Sequence, residues 1–526
     1  MSEEGITPNA KRLLWAGFMA ILAAGVGFSV RGGILGQWAE QFGFTMAELG
    51  KITGGGLTGF GLVIIITSLF ADKVGYGKLM VLAFLLHFIS AVVTLAAPAA
   101  FASGGKDAAF NCLFWGMFIF AVGNGVCEAV VNPLVATLFP KEKSHYLNIL
   151  HAGWPAGLVV GGLAAYFMAA QTGADGSVIS KAVDWKVQMS LFLVPVIIYG
   201  VMLIGQRFPK SEATAAGVGV GQMLATVATP LMLVLLVLHA LVGYVELGTD
   251  SWISKITGSI MASPQKGLML FVYTSSLMFA LRFVAGPIVH RISPLGLLFV
   301  SAILGVAGLT LLSAAEGVAM CVIAATVYAC GKTFLWPTML AVGSEQFPKG
   351  GAVALGLMGG VGMLSAGMLG GPAIGFKQDF HASAQLKEAA PETYARYQSV
   401  DKDGKPQENS FLGYKTVGLD GAKVGVLEDE GKELARVDAL LAKESRTDAN
   451  HTGLKKWWDG ASAFAKAEPA KDAEKVKAAG LYGGRMALKL TAIVPAILGV
   501  GYLLLILFFK AKGGYKAKGV GAGESH

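Results

Sequence analysis

The sequence predicts an all-α integral membrane protein, with twelve transmembrane helices in two pseudo-symmetric six-helix halves. Three observations lead there. The 526 residues are 54% hydrophobic and only 14% charged, with mean hydropathy +0.60, whereas a soluble chain carries about 25% charged residues. The apolar residues fall in blocks of roughly 20, the length that crosses a bilayer core. The chain also repeats itself. "GNGVCEAVVNPLVATLFPK" aligns on "GKTFLWPTMLAVGSEQFPK", with Gly123 on Gly331 and Phe139-Pro140-Lys141 on Phe347-Pro348-Lys349, and "VGFSVRGG" in the first span aligns on "VGYVELGT" in the seventh.

The spans are predicted at 13–36, 50–71, 79–97, 109–138, 147–170, 188–206, 229–249, 265–288, 296–314, 317–342, 352–375 and 486–509. The first follows Lys11-Arg12. It is too long for a signal-peptide core and is followed by more spans, so it reads as an uncleaved helix. Residues 1–210 form the N-terminal half, 211–228 a cytoplasmic linker, and 229–375 spans 7 to 11. Residues 376–485 are a polar extracytoplasmic insertion, and 486–526 are span 12 and a cytoplasmic tail. The 71 glycines suit tightly packed membrane helices.

Orientation follows from the basic residues. With the N-terminus inside, the inner loops hold Lys73, Lys78, Lys141, Lys143, Arg207, Lys210, His290-Arg291 and Lys349. The tail adds Lys510, Lys512, Lys516 and Lys518. The outer loops hold fewer, such as Lys106, Lys181 and Lys186. Both termini are therefore expected in the cytoplasm, with the chain multi-pass in the inner membrane. The net charge of +8 does not point to nucleic acid, because the one long polar segment, 377–485, balances 18 basic against 18 acidic residues. The excess sits where membrane topology requires it.

Within the insertion, "YKTVGLDGAKVGV" reads as a hairpin around Asp420-Gly421. "EGKELARVDALLAKES" and "GLKKWWDGASAFAKA" read as amphipathic helices. A small folded cap is expected: a tolerated insertion, a lid or a partner-binding module. Cys112, Cys127, Cys321 and Cys330 lie in apolar spans without a CxxC pair, as packing residues. There is no GxSxG, HExxH or Walker loop, so neither enzyme chemistry, metal nor cofactor is expected.

Polar chemistry inside the spans marks the candidate site. Glu128 stands in a long apolar run, where a charge at mid-membrane costs ~2.5–3.5 kcal/mol even on lenient scales. Asn124, Glu128 and Asn132 share a helix face, as do Tyr328, Lys332 and Trp336 in span 10. In the repeat register Asn124 overlies Lys332, and Glu128 overlies Trp336. Span 5 adds Asn148, His151 and Trp154. Span 7 adds His239, Glu246 and Asp250, span 1 Arg31, and span 8 Arg282. Glu128 and Glu246 are candidate proton carriers, or partners in a structural ion pair with Arg31, Arg282 or Lys332. The asparagines read equally as interhelical glue, and His87 and His239 as core residues. Amides and indole faces suit a neutral polyol; the three cations leave a sugar acid or other organic anion open.

Two parallel six-helix repeats are the architecture of major facilitator transporters, with the site between the halves near mid-membrane. "SLFADKVGYGK" after span 2 resembles the G-x-x-x-D-R/K-x-G-R-R/K signature of that superfamily, with Ser68 at the first Gly and Tyr76 at an Arg. That resemblance implies a cytoplasmic gate of Asp72, Lys73 and Gly75, with Asp72 capping span 11 near Gly351. "GPIVHRISP", with Gly286 and Arg291, is the weaker second copy.

"CEAVVNPLVATLFP", "LNILHAGWPAGLVVGG", "YVELGTDSWI", "RFVAGPIVHRISP" and "FLWPTMLAVG" together resemble the fucose–galactose–glucose:proton symporter family. The resemblance covers every span but the twelfth. It implies that Glu128 is the proton and sugar carboxylate, followed by the Asn132-Pro133 motif, and that Asn148 is the span 5 asparagine. Gly33 stands near the family's span 1 acid, with Arg31 close by, and Trp154 at its sugar-binding amide. The expected function is proton-coupled import of a sugar or polyol by alternating access, by a monomer. The alternatives are a sugar-acid or organic-anion carrier using Arg31, Arg282 and Lys332, and a non-transporting sensor or scaffold.

Overall fold

The computed structural model describes residues 8–44, 46–53, 56–169, 171–172, 178–180, 182–401, 404–443, 449–467 and 469–520. Lys181 and the Glu444-Ser445 end of the first insertion helix lie outside the described residues. Each apolar block is helical. In chain order the helices are α1 (Ala10–Phe42), α2 (Gly56–Val74), α3 (Tyr76–Leu95), α4 (Ala97–Leu138), α5 (Lys143–Met168) and α6 (Trp185–Leu203). The second half holds α7 (Pro230–Ile260), α8 (Pro264–Arg282), α9 (Ala285–Ala314), α10 (Gly317–Gln346), α11 (Pro348–Ala389) and α12 (Asp472–Ala511). Eleven helical stretches among the described residues are long and apolar enough to cross a membrane. The remaining helix of the twelve, α8, carries Gln265, Lys266, Thr274, Ser275, Ser276 and Arg282, and Arg282 is buried.

Helix ends follow local chemistry. Gly43, at φ 69°, ends α1 in the left-handed conformation that glycine adopts without strain. Pro264 opens α8, where its missing N–H is harmless, and Ser263 Oγ accepts from Lys266 N. α4 breaks at Gly105 and α9 at Ser293, both at positive φ. Two π-helical turns, Tyr244–Gly248 in α7 and Ala366–Gly370 in α11, lie against each other. A Cβ on Gly248 would come within 2.7 Å of Gly370 Cα.

Within the N-terminal half, α1 and α5 cross closely: a Cβ on Gly157 would lie 2.3 Å from the Leu22 carbonyl. The halves meet through two pseudo-equivalent pairs. α2 packs on α11, with Gly61 against Gly360 and Ser68 against Gly356. α5 packs on α8, with Gly162 against Val272, and meets the start of α9, with His145 against Gly286. The first and last described segments lie at the end of the bundle that carries Asp72. Asn9 Nδ2 donates to Gln206 Oε1, and Tyr515 OH donates to Glu345 Oε2. The linker helix Glu212–Ala215 is tied to the N-terminal half there by Lys143 and Glu212 at 2.8 Å.

The insertion occupies the opposite end, where α11 runs on to Ala389 and α12 begins at Asp472, each well past the expected membrane edge. Leu386, Tyr397, Leu427 and Ala479 anchor a small core of its own. The amphipathic helices stand at Lys432–Lys443 and Ala449–Ala467. The expected hairpin around Asp420-Gly421 is wrong. The hairpin is one turn earlier, β1 (Asn409–Phe411) with β2 (Tyr414–Thr416), and Gly413 in its loop has positive φ. Asp420 instead caps the helix Gly421–Glu428, its carboxylate accepting from Ala422 N and Lys423 N. The same short acceptor serves a turn or a helix start, and the following "AKVGVLE" decides for the helix.

Candidate functional site

The polar side chains of α4, α5, α7, α8 and α10 converge between the halves. Glu128 is buried in α4 and accepts a 2.7 Å bond from Asn132 Nδ2, one helical turn away. The same Nδ2 also donates to the Glu128 carbonyl, and Asn132 Oδ1 lies 2.8 Å from His151 Nε2 on α5. None of the ion pairs among the described residues includes Glu128. From the other half, buried Arg282 Nη2 donates to Glu246 Oε1 at 2.8 Å. Its Nε donates to the Thr333 carbonyl, and its Nη1 crosses to the His151 carbonyl. One hydrogen-bonded network thus runs from a carboxylate in the N-terminal half to an ion pair in the C-terminal half.

Lys332 on α10 pairs with Asp250 on α7 and lies over the Tyr328 ring. Tyr328 OH donates to the Val245 carbonyl at 2.6 Å, within the π-helical turn. Asn148 Nδ2 donates across the interface to Thr338 Oγ1. Trp336 is buried, 4.6 Å from the His239 ring. Several buried atoms have no hydrogen-bond partner among the described residues: Glu246 Oε2, Asn148 Oδ1, Thr249 Oγ1, and both ring nitrogens of His239. Buried polar atoms are nearly always bonded. Such a cluster offers both donors and acceptors to a polar solute.

Three of the singled-out residues sit elsewhere. Arg31 is buried in the N-terminal half: Nη2 donates to Ser90 Oγ, and the guanidinium stacks on Phe120 at 3.8 Å. It makes no ion pair with Glu128. Asn124 Oδ1 accepts from His87 Nε2 (2.9 Å), and His87 Nδ1 meets Tyr199 OH. Trp154 is half-buried and lies 5.7 Å from the Phe28 ring. The sequence reasoning missed Ser90, Phe120, Tyr199, Thr333 and Thr338. The last two share α10 with Lys332, and no polar spacing in that apolar helix distinguishes them from packing threonines.

At the Asp72 end, Asp72 Oδ2 lies 3.5 Å from Ala352 N, at the start of the long helical stretch of α11, and Oδ1 accepts from Tyr76 OH. Gly75 holds φ 95° ahead of α3, while Lys73 is exposed. In the second copy Gly286 N donates to His145 Nδ1, and Arg291 is exposed. His290 stands 3.9 Å from Glu142. Contacts between the halves therefore close the Asp72 end through both α2–α11 and α5–α9.

Among solved structures the fold is similar to a bacterial homologue of the human lysosomal transporter Spinster, inward-facing and unoccupied (TM-score 0.59, 14% identity, 95% of this chain and 97% of that one). It is also similar to the fucose:proton symporter FucP of E. coli (TM-score 0.56, 17% identity, 74% and 94%). The proton:xylose symporter XylE bound to 6-bromo-6-deoxy-D-glucose matches likewise (TM-score 0.55, 14% identity, 72% and 90%). No curated protein sequence matches. The family model of the Major Facilitator Superfamily matches residues 17–371, well over half of the chain. With twelve helices in two halves and a polar network between them, this chain belongs to the Major Facilitator Superfamily of transporters.

Proposed function

We propose that this transporter couples a proton to the import of a neutral sugar or polyol across the inner membrane by alternating access, with both termini in the cytoplasm. The observation that carries the reading is the Glu128–Asn132–His151 relay, a buried carboxylate bonded to an amide whose oxygen in turn meets an imidazole, with the carboxylate in none of the ion pairs among the described residues. A group so placed gains and loses a proton without breaking an ion pair. Glu128 takes the proton and touches substrate. Glu246, already held by Arg282, responds to the same change through the network.

The charges favour a neutral solute over an anion. Arg282 and Lys332 are each neutralised by a carboxylate of their own half. Arg31, the third cation, is stacked between aromatic rings inside the N-terminal half. An anionic substrate would have to displace Glu246 or Asp250 to meet a central cation. Asn132, Asn148, His151, Lys332 and Trp336 line the solute's path, as neutral hydroxyls and a pyranose face require.

The test uses proteoliposomes with an imposed pH gradient. E128Q keeps the amide bond to Asn132 and is expected to abolish uphill uptake while counterflow survives. Uphill uptake that keeps its pH dependence in E128Q sinks the proton assignment. Competition by neutral hexoses against hexuronates decides the substrate class, and stronger competition by hexuronates overturns the neutral reading.

A further inference from the structure

The insertion grips the half of the molecule to which it does not belong. It hangs from α11 and α12, both in the C-terminal half, and its small core fixes it to their extended ends. Arg436, on the helix Lys432–Lys443, reaches from there to the end of α1 in the N-terminal half. Its Nη1 donates to the Ala39 carbonyl at 3.1 Å, and its Nη2 points at the Phe44 carbonyl at 3.5 Å. Glu433, one turn earlier, holds the guanidinium from behind with both oxygens, at 2.7 and 2.6 Å. The fork is thus aimed before it lands.

The landing place suits a cation. The last carbonyls of a helix have no intrahelical partner, and the end of a helix carries about half a negative charge. The place is also firm. Phe42 and Phe44 pack at 5.6 Å, Phe42 and Phe101 at 5.5 Å, and Trp38 and Trp185 at 5.8 Å, so the end of α1 sits in an aromatic cluster. The acceptors are backbone atoms, so the contact depends on the fold of that turn rather than on its side chains.

Alternating access rocks one half against the other around a central site. Opening the insertion end separates the end of α1 from the C-terminal half, and the Arg436 contact cannot outlast that separation. We propose that the insertion is a latch: Arg436 binds the Ala39 carbonyl in the last turn of α1 and the Phe44 carbonyl just beyond it when the insertion end is shut, and shifts the resting population toward that state. The latch rests on no assumption about substrate or proton.

Spin labels introduced as unnatural amino acids at Ser103 and Glu316, exposed positions at the insertion end of opposite halves, report the opening and leave the native cysteines in place. Pulsed dipolar spectroscopy on the full chain in liposomes without substrate is expected to show a short distance predominating. R436A is expected to raise the longer-distance population at least twofold, and K432A, at an exposed neighbour on the same helix, to leave it unchanged. Identical distributions for R436A and the parent overturn the latch. So does a K432A shift as large as that of R436A, because general loosening would then explain it. Melting temperature and monodispersity of each variant establish that it is folded.

Discussion

Arg282 Nη2 holds Glu246 Oε1 at 2.8 Å while Nη1 of the same guanidinium donates to the His151 carbonyl. One side chain thus completes an ion pair within its own half and a hydrogen bond to the other half. Removing one member of a buried pair leaves an uncompensated charge and costs about 3–5 kcal/mol, whereas replacing both by apolar residues is often neutral. R282A and E246L alone are expected to lower the unfolding temperature markedly. The R282M/E246L double variant should recover most of it and still not transport. Transport at the parental rate in the double variant would show the pair to be structural only.

Asn132 bridges Glu128 and His151, donating to one and meeting the other through its oxygen. N132A leaves two buried groups without their partner, at about 1–3 kcal/mol each. Initial uptake rates are expected to fall at least tenfold, with N132D failing as well because it sets a second carboxylate against Glu128. A parental pH–rate profile in N132A would separate the relay from the proton step.

Asp72 faces Ala352 N and Gly351 at the first turn of the long helical stretch of α11. A carboxylate there gains about 0.3–1 kcal/mol from the helix dipole. D72N retains the shape and loses that term, so the Asp72 end is expected to open more often. Alkylation of a cysteine placed at Ser344, in a variant lacking the native cysteines, should quicken several-fold. An unchanged alkylation rate would remove Asp72 from the gate.

Gly157 leaves no room for a side chain against the Leu22 carbonyl, while a Cβ at Gly36 meets open space. G157V is expected to abolish folded expression, measured by fluorescence-detected size exclusion. G36A should match or exceed the parent by about 0.5–1 kcal/mol, the usual gain from glycine to alanine in a helix.

Hydropathy and the internal repeat made the spanning helices and the two halves legible, because bilayer thickness and duplication act on the whole chain. The polar positions were legible as residues but not as partners. Glu246 and Arg282 lie 36 residues apart, and Glu246 was as open to Arg31 or Lys332 until the helices were packed. Arg31 looked like site chemistry because of its place in α1. The rotation of α1 turns it toward Ser90 and Phe120 instead. In the insertion, Asp420 announced a change of direction without saying which kind. The latch was invisible in sequence, since its acceptors are the carbonyls of Ala39 and Phe44, which any residue supplies.

The π-helical turn at Tyr244–Gly248 takes up one residue more than an α-helical turn, so the helix beyond it stays in line while the numbering slips by one. In an unbroken α-helix that slip would swing every later side chain by about 100°, and Asp250 would face away from Lys332. Deleting one residue inside the turn should therefore leave the Asp250–Lys332 pair intact, whereas deleting one in the α-helical part of α7 before Asp250 should break it. α1, the repeat counterpart of α7, is α-helical through the matching stretch. The ungapped pairing of "VGFSVRGG" with "VGYVELGT" thus falls out of phase partway along, and spatial counterparts beyond it lie one residue from where a letter-by-letter match puts them.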